Sequence, residues 1–232
     1  MKLAVMQPYF FPYLGYFQLI EESDLFVIYD DVNFITRGWI NRNRILINGS
    51  AAYITIPCKN SSQNRLICDT DHALNDKNRG KLVRKIELSY KNAPYFENVF
   101  PIVKDVIYLD TPGISELAIA SISKTMNYLK MSGSAKVSSS AYENQQLIGV
   151  DRIMDICKQE NAKTYINAIG GKMLYNRQTF FDKGIELKFL KPSFSKYEQF
   201  NSTFVSGLSI IDVMMFNSIS AVQKMLKMYT LE

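Results

Sequence analysis

The chain opens with a short apolar run, residues 2–6, that ends at Gln7-Pro8. A continuous apolar run of this length, stopped by proline, reads as a buried strand. Residues 14–22 follow at helical spacing, with Phe17, Leu19 and Ile20 apolar. Residues 25–29 are a second apolar run, rich in β-favouring types, ended by Asp30-Asp31. Strand, helix and strand in immediate succession predict parallel pairing through a right-handed crossover. Residues 44–47 and 53–56 flank Asn48-Gly49-Ser50. Asn-Gly between two apolar runs predicts a hairpin, because both residues take positive φ at little cost. Residues 60–76 are polar without periodicity and predict a loop, in which His72, the single histidine, is expected to be an exposed bystander.

The middle of the chain is helical in pattern. Residues 81–90 read as one helix, Asn92-Ala93-Pro94 breaks it, and residues 95–108 read as a second. Asp110-Thr111-Pro112 predicts a helix start, a capping side chain followed by proline in the first turn. Beyond it Ile114, Leu117, Ala118, Ile122, Met126 and Leu129 recur at helical spacing. Residues 132–140 are a Gly/Ser-rich loop with a short strand at 135–137. Then come a helix at 145–160, a strand at 164–168 ending in Gly170-Gly171, and a helix at 172–183 closed by Gly184. Ile185, Leu187 and Phe189 alternate with charged residues as a strand, and helices at 209–216 and 219–228 finish the chain. This alternation defines an α/β class with a mostly parallel sheet, an added β-hairpin and a helical part. Residues 1–232 are expected to form a single α/β domain with a helical insertion at about 76–131. Ligands of such folds collect at the carboxyl ends of the parallel strands, so residues 7–16, 30–33 and 168–172 are expected to wall one crevice.

Composition narrows the classes of partner. Hydrophobic residues make up 47% and charged residues 21%, which suits a folded domain. The net charge of +5 is a mild excess of 27 Lys+Arg over 22 Asp+Glu. It fits an anionic small molecule, and no dense Lys/Arg run marks a DNA-binding stripe. Three cysteines without metal-ligand spacing argue against a disulfide framework and against zinc, so no metal site is expected. The first apolar run is too short for a signal peptide, and no stretch approaches the roughly 20 apolar residues of a membrane span. A cytoplasmic protein is the expectation. No cofactor signature emerges: Ile169-Gly170-Gly171-Lys172 has neither Walker nor dinucleotide spacing, and Lys130-Met131-Ser132-Gly133-Ser134 is read as a chance likeness to a synthetase signature.

Three constellations carry chemistry. In Gln7-Pro8-Tyr9-Phe10-Phe11-Pro12-Tyr13-Leu14-Gly15-Tyr16, five of ten residues are aromatic. Tyrosine pairs a flat apolar face with a hydroxyl, which suits a sugar or base ring, and the helix that follows aims its first N–H groups at the loop, which suits phosphate. The competing reading is an aromatic mini-core. In Arg37-Gly38-Trp39-Ile40-Asn41-Arg42-Asn43-Arg44, three guanidiniums, two carboxamides and the only tryptophan fall within eight residues. Arginine binds phosphate or carboxylate bidentately, and an extended backbone puts Arg42 and Arg44 on one face. The competing reading is a charged strand edge, with RNA stacking on Trp39 a distant third. Asp30-Asp31 offers a general base or a metal ligand, or simply caps a turn; at most one of the two faces the crevice, since successive strand residues point to opposite sides. Cys58 is not expected to be a nucleophile.

These residues resemble the WbqC-like family. The resemblance rests on Gln7 to Tyr16, on Phe26-Val27-Ile28-Tyr29-Asp30-Asp31-Val32 and on Arg37 to Ile45. It continues through Ile54-Thr55-Ile56-Pro57, Tyr90 to Phe96, Gly170-Gly171 and Leu208 to Asp212. It implies a setting in bacterial O-antigen and other surface-polysaccharide biosynthesis. It also implies a transferase chemistry in which an amino acid such as glycine joins an amino sugar on a nucleotide carrier. Pro12-Tyr13-Leu14-Gly15-Tyr16 is more distantly similar to the His-x-Gly-His turn of nucleotidyltransferases and class I synthetases, which implies a Rossmann-like fold of that HUP type. Both histidine positions hold tyrosine here. The expected partners are then a nucleotide-linked sugar and an activated acyl donor. Gln7, Tyr9, Tyr13, Gly15, Arg37, Trp39, Asn41, Arg42 and Arg44 would bind substrate; Asp30, Asp31 and Tyr16 would serve catalysis. A binding module without catalysis and a nucleotidyltransferase-like enzyme stay open as alternatives, as does the oligomeric state.

Overall fold

The computed structural model describes all residues except Gly133, Ser134, Val137, Asn201 and Ser202, with only the backbone at Ala135 and Lys136. Val137 of the expected short strand and two residues of the synthetase-like stretch therefore lie outside the described residues. The elements in order are β1 (Lys2–Met6), α1 (Leu14–Glu22), β2 (Leu25–Ile28), β3 (Arg42–Ile47), β4 (Ser50–Thr55), α2 (Asp76–Tyr90), α3 (Phe96–Ile107) and α4 (Ile114–Tyr128). They continue with β5 (Ala135–Lys136), α5 (Gly149–Gln159), β6 (Thr164–Ala168), α6 (Arg177–Phe181), β7 (Glu186–Pro192), α7 (Ile210–Phe216), α8 (Ile219–Met225) and β8 (Tyr229–Leu231).

Six strands form one sheet in the order β5-β2-β1-β6-β7-β8. Every pairing is parallel except β7 with β8. Strands β3 and β4 form a separate antiparallel hairpin. Its turn is Asn48-Gly49, both at positive φ (49° and 75°), as the sequence predicts. The chain is thus α/β with a mainly parallel sheet plus a hairpin.

Alternation along the strands divides the core. Leu3, Val5, Leu25, Val27, Tyr165, Leu187 and Phe189 face Ile153, Ile156 and Cys157 of α5 and Phe180 of α6. Ala4, Phe26, Ile28, Ile166 and Leu190 face the other way, onto Phe17, Leu19 and Ile20 of α1. The buried faces of α2, α3 and α4 and the hairpin residues Ile45 and Ile54 join this second cluster, so the helical part shares one apolar interior with the sheet. Near-continuous apolar strands fit a parallel sheet covered on both faces.

Several local expectations change. Helix α2 starts five residues earlier than periodicity suggests, because Asn75 and Asn78 exchange side-chain and backbone hydrogen bonds as a capping box. Asp110-Thr111-Pro112 does not cap α4: Gly113 takes that place without a side-chain bond. Instead the Pro112 carbonyl accepts from the His72 N–H and the Ile114 N–H donates to the Thr70 carbonyl, docking the two loops. His72 is therefore buried, at 5% exposure, rather than an exposed bystander. Burial lowers its pKa. The helix expected at 172–183 is split into a 3-10 turn, Ile169–Leu174, and the five residues of α6, which Asn176 restarts by capping Gln178. Gly184, at φ 72°, ends α6 as expected. Strand β8 has no counterpart in the apolar pattern.

Candidate functional site

Strands β1 and β6 are neighbours whose onward connections run to opposite sides of the sheet, β1 to β2 and β6 to β7. Open α/β sheets bind ligands where the strand order reverses, beyond the carboxyl ends of the strands. A crevice of about 420 Å³ lies there. Its floor is Met6 at the end of β1 and Gln7 just after it, Tyr29 after β2, and Asn167 and Ala168 at the end of β6. Tyr9, Tyr13, Tyr16 and Trp39 wall one side, and Gly170, Gly171 and Tyr175 the other. A second pocket of about 300 Å³ adjoins it, sharing Tyr9, Tyr13 and Trp39 and adding Asn43, Arg44, Phe194 and Gly207. Two larger hollows, about 660 and 570 Å³, sit at the opposite, amino ends of β6 and β7 around Lys163, Gly184 and Ile185.

The aromatic segment does two jobs. Phe10 and Phe11 are fully buried core residues. Tyr9 and Tyr13 are half-buried and face the crevice. Phe11 holds a left-handed backbone, φ 41°, a conformation that costs about 1–3 kcal/mol for an ordinary residue. Three bonds over-determine it: its N–H donates to Ser121 Oγ at 2.8 Å, and its carbonyl accepts from Asn43 Nδ2 and from Ser209 Oγ, each at 2.7 Å. The Phe10 N–H donates to the Ile40 carbonyl at 3.1 Å. The segments 7–16 and 37–44 are thereby brought together, although the walls expected from the sequence are 7–16, 30–33 and 168–172; of 37–44 only Trp39, Asn43 and Arg44 line the hollows. Tyr16 is 2% exposed and its hydroxyl donates to the Gln7 carbonyl at 3.0 Å. Burial holds its pKa well above the ordinary phenol value, so it is a donor fixed in place.

The three arginines part company. Arg37 is exposed, and its carbonyl accepts from the Arg42 guanidinium. Arg42 also donates to the Gly38 carbonyl at 3.0 Å and lies 4.5 Å from the Tyr53 ring centroid, so its side chain is used in holding the 37–42 loop. Asn41 donates to the Ile56 carbonyl at 2.7 Å. Arg44 shares the Arg42 face of β3 but turns into the smaller pocket, 5.8 Å from the Trp39 ring. Neither Arg37, Asn41 nor Arg42 lines the crevice or that pocket.

The carboxylates Asp30 and Asp31 follow the end of β2 and turn to different partners, and both are buried, at 4% and 6% exposure. Asp30 accepts from Ser115 Oγ at 2.6 Å and from Ser138 Oγ at 2.7 Å. Asp31 forms a buried ion pair with Arg152 of α5 and accepts from Ser139. The Arg152 guanidinium donates further to Asn144 Oδ1 at 2.9 Å and lies 5.0 Å from the Tyr29 ring. Both aspartates thus stand beneath the site, tied to internal donors, and Tyr29 rather than either of them reaches the crevice. Among the described residues no group of three or more His, Cys, Asp or Glu gathers as a metal centre. Burial raises the thiols of Cys58 and Cys68 to about 11 and that of Cys157 to about 12, so all three are neutral at pH 7.

Reading along the chain missed Tyr29, Asn167, Tyr175, Arg152 and Asp212. Asn167 is 6% exposed; its Oδ1 accepts from the Ala168 N–H at 2.8 Å, and it reaches Tyr175. A Cβ at Gly171 would stand 2.7 Å from Asn167 Nδ2, so glycine there lets the turn close over the amide. The available signal was a lone carboxamide at the carboxyl end of an apolar strand. Asp212 is a lone acid in the apolar run of α7. Its fully buried carboxylate accepts from Tyr90 Oη at 2.8 Å, Tyr197 Oη at 2.6 Å and Gln199 Nε2 at 2.6 Å. Tyr90 Oη in turn accepts from the Leu46 N–H at 2.9 Å. This network fixes α2, β3 and α7 behind the Arg44 pocket.

Burial raises the Asp212 pKa against the pull of its three donors. Below the unfolded carboxylate value of about 3.9 the group is protonated in both states; above it, the unfolded chain ionises first. The stability of the wild type relative to Asp212→Asn should therefore be greatest near pH 3.5–4 and fall as pH rises towards the raised folded value, by about 1.4 kcal/mol for each pH step of one between the two pKa values. Urea unfolding of both proteins across this range measures it, and a difference independent of pH contradicts it.

The fold and the crevice define a class: an α/β protein of the doubly wound kind, with a tyrosine- and amide-lined crevice at the reversal of its strand order. The chain belongs to the WbqC-like protein family, which it matches over residues 7–224. It is also similar to uncharacterized protein Rv1507c of Mycobacterium tuberculosis (strain ATCC 25618 / H37Rv), at 26% identity over 223 residues that cover 92% of each chain. No solved structure matches it. Among the described residues no helix is long and apolar enough to cross a membrane.

Proposed function

We propose that the protein acts in surface-polysaccharide (O-antigen) precursor biosynthesis, holding the sugar of a nucleotide-linked amino sugar in the crevice between β1 and β6 while an acyl or aminoacyl group, such as glycine, is transferred to its amine. The observation that carries the reading is the lining: tyrosine rings, the amides of Gln7 and Asn167 and backbone of the Gly170-Gly171 turn, with no charged side chain. Flat apolar faces and neutral donors and acceptors match a ring with an apolar face and a hydroxyl rim. In the transfer the amine forms a C–N bond to the acyl carbon, the bond to the leaving group of the activated donor breaks, and the amine proton passes to that leaving group or to solvent.

A second reading is a binding module without catalysis. It is favoured by one specific observation: no carboxylate, histidine or cysteine lines the crevice or the adjoining pocket, so no ordinary general base stands at the sugar. A mass-spectrometric assay with purified protein, UDP- or TDP-linked amino sugars and adenylate, aminoacyl-tRNA or thioester donors separates the two. Transfer predicts a product heavier by one acyl group and a loss of about tenfold or more in kcat/KM for Asn167→Leu, which leaves a substrate hydroxyl unpaired. Tight binding with no product from any donor supports the binding module. No binding and no product sinks both.

A further inference from the structure

The main crevice is uncharged, whereas the pocket beside it contains Arg44. Of the other guanidiniums near the site, Arg42 is used by the loop carbonyls and Arg152 by the Asp31 carboxylate, while Arg37 is exposed and lines neither hollow. Arg44 is half-buried, and among the described residues it forms no ion pair. Its Nη2 donates to the Gly207 carbonyl at 3.2 Å, and its Nε is shut off from water without an acceptor. A guanidinium presents five N–H donors and no acceptor. A cation partly withdrawn from water with its donors largely unused is costly until an anion joins it.

The surroundings fit an anion delivered by a larger ligand. Gly207 has φ 67°, the left-handed region that favours glycine, and its carbonyl rather than a side chain meets the guanidinium. Tyr13 and Phe194 approach with ring centroids 6.2 Å apart and supply apolar walls. Tyr9, Tyr13 and Trp39 belong to both hollows, so one molecule can occupy them together. The backbone of Arg44 is itself held, its carbonyl accepting from the Ser209 N–H at 2.8 Å.

We infer that the Arg44 pocket is an anion subsite which takes the phosphate or carboxylate of a ligand whose neutral ring lies in the crevice. The assignment rests on the sugar reading above for the occupant of the crevice. It sets a direction: the charged group lies toward the hairpin and the reacting end of the sugar toward Asn167, Tyr29 and Tyr175. The N-terminus of α1, expected from the sequence to cradle phosphate, is then part of the sugar wall.

Trp39, the only tryptophan, faces both hollows and reports occupancy through its fluorescence. The probes are UDP-N-acetylglucosamine, neutral methyl N-acetylglucosaminide, inorganic pyrophosphate and glycinate, titrated into the wild type, Arg44→Met, Arg44→Gln and the remote control Lys158→Met. Arg44→Gln keeps a donor for the Gly207 carbonyl should the methionine variant fold poorly. The expected result is a Kd for UDP-N-acetylglucosamine raised at least tenfold in both Arg44 variants, unchanged in Lys158→Met, with the neutral glycoside unaffected throughout. Arg44-dependent binding of pyrophosphate assigns the subsite to phosphate, and of glycinate to the carboxylate of a donor. Pyrophosphate or glycinate binding that needs Arg44, with no response to either sugar, keeps the anion subsite and overturns the sugar reading. Sugar binding with the UDP-linked Kd within twofold of wild type in the Arg44 variants, or no response to any anionic probe, overturns the anion subsite.

Discussion

Replacing Arg152 by methionine should destabilise the protein by about 3–5 kcal/mol, the cost of leaving one member of a buried ion pair without its partner. The side chains of Arg152 and Asp31 are 3% and 4% exposed, so water cannot take over the solvation of the remaining carboxylate. Among the described residues, the Ser139 hydroxyl is the side-chain donor that would remain to Asp31. A small domain has only about 5–15 kcal/mol in hand, so the single variant should approach unfolding at ordinary temperature. Asp31→Asn combined with Arg152→Met removes both charges and should recover most of the loss, because a hydrogen-bonded or apolar replacement of a buried pair is often neutral. Urea midpoints of the two single variants and the double measure the coupling. A loss under about 1 kcal/mol for Arg152→Met, or strict additivity in the double, would show that the pair does not bear on stability. The consequence for the site is positional. Arg152 also supports the Tyr29 ring from behind, so a folded Arg152 variant should bind sugar more weakly through a misplaced Tyr29.

That role for Asp31 illustrates how far the chain can be read unaided. Adjacent acids at the end of an apolar strand mark a strand terminus near a parallel-sheet crevice, and the terminus is where the sequence puts it. Which face each acid takes depends on the partner that meets it, and those partners, Ser115, Ser138 and Arg152, lie 85 to 121 residues away. Local patterning carries no trace of such distances. The elements that were legible are those whose cause is local: the apolar runs of β1 and β2, the Asn48-Gly49 turn and the Gly184 helix end. Several of those misread have a tertiary cause. Asp110-Thr111-Pro112 has the chemistry of a helix start, but its proline carbonyl is claimed by His72 from another loop. In the same way the aromatic segment reads as one feature, yet packing separates its phenylalanines, which enter the core, from Tyr9 and Tyr13, which face the crevice. The arginines of 37–44 are equivalent in sequence and unlike in space, because only Arg44 lies inside the pocket while Arg42 is turned back on its own loop.

Gly15→Ala should cost at least tenfold in affinity for the nucleotide-linked sugar, the largest effect expected of a one-carbon change in this chain. A Cβ at Gly15 would stand 2.4 Å from Tyr13 Cε2 and 2.6 Å from Pro192 Cγ, far inside the carbon–carbon contact distance of about 3.5–4.0 Å. Pro192 is held in β7, paired with Tyr229, whereas Tyr13 is half-buried at the edge of both hollows. The ring of Tyr13 is therefore the group that yields, and it yields into the hollows that the proposed sugar ligand would fill. Overpacking of this kind also costs about 1–3 kcal/mol of stability. Tyr13→Ala in the Gly15→Ala background should relieve the strain and restore the unfolding midpoint while leaving affinity low, since the wall itself is then gone. Gly80→Ala is the control. It lies inside α2, where an added Cβ meets only Tyr108 Oη at 3.9 Å. Alanine there should raise stability by about 0.5–1 kcal/mol through helix propensity and leave binding unchanged. Trp39 fluorescence gives the affinities and urea denaturation the stabilities. Gly15→Ala binding as tightly as the wild type would mean that the Tyr13 ring is no part of the ligand's wall, and with it the shared boundary of crevice and anion pocket would lose its physical basis.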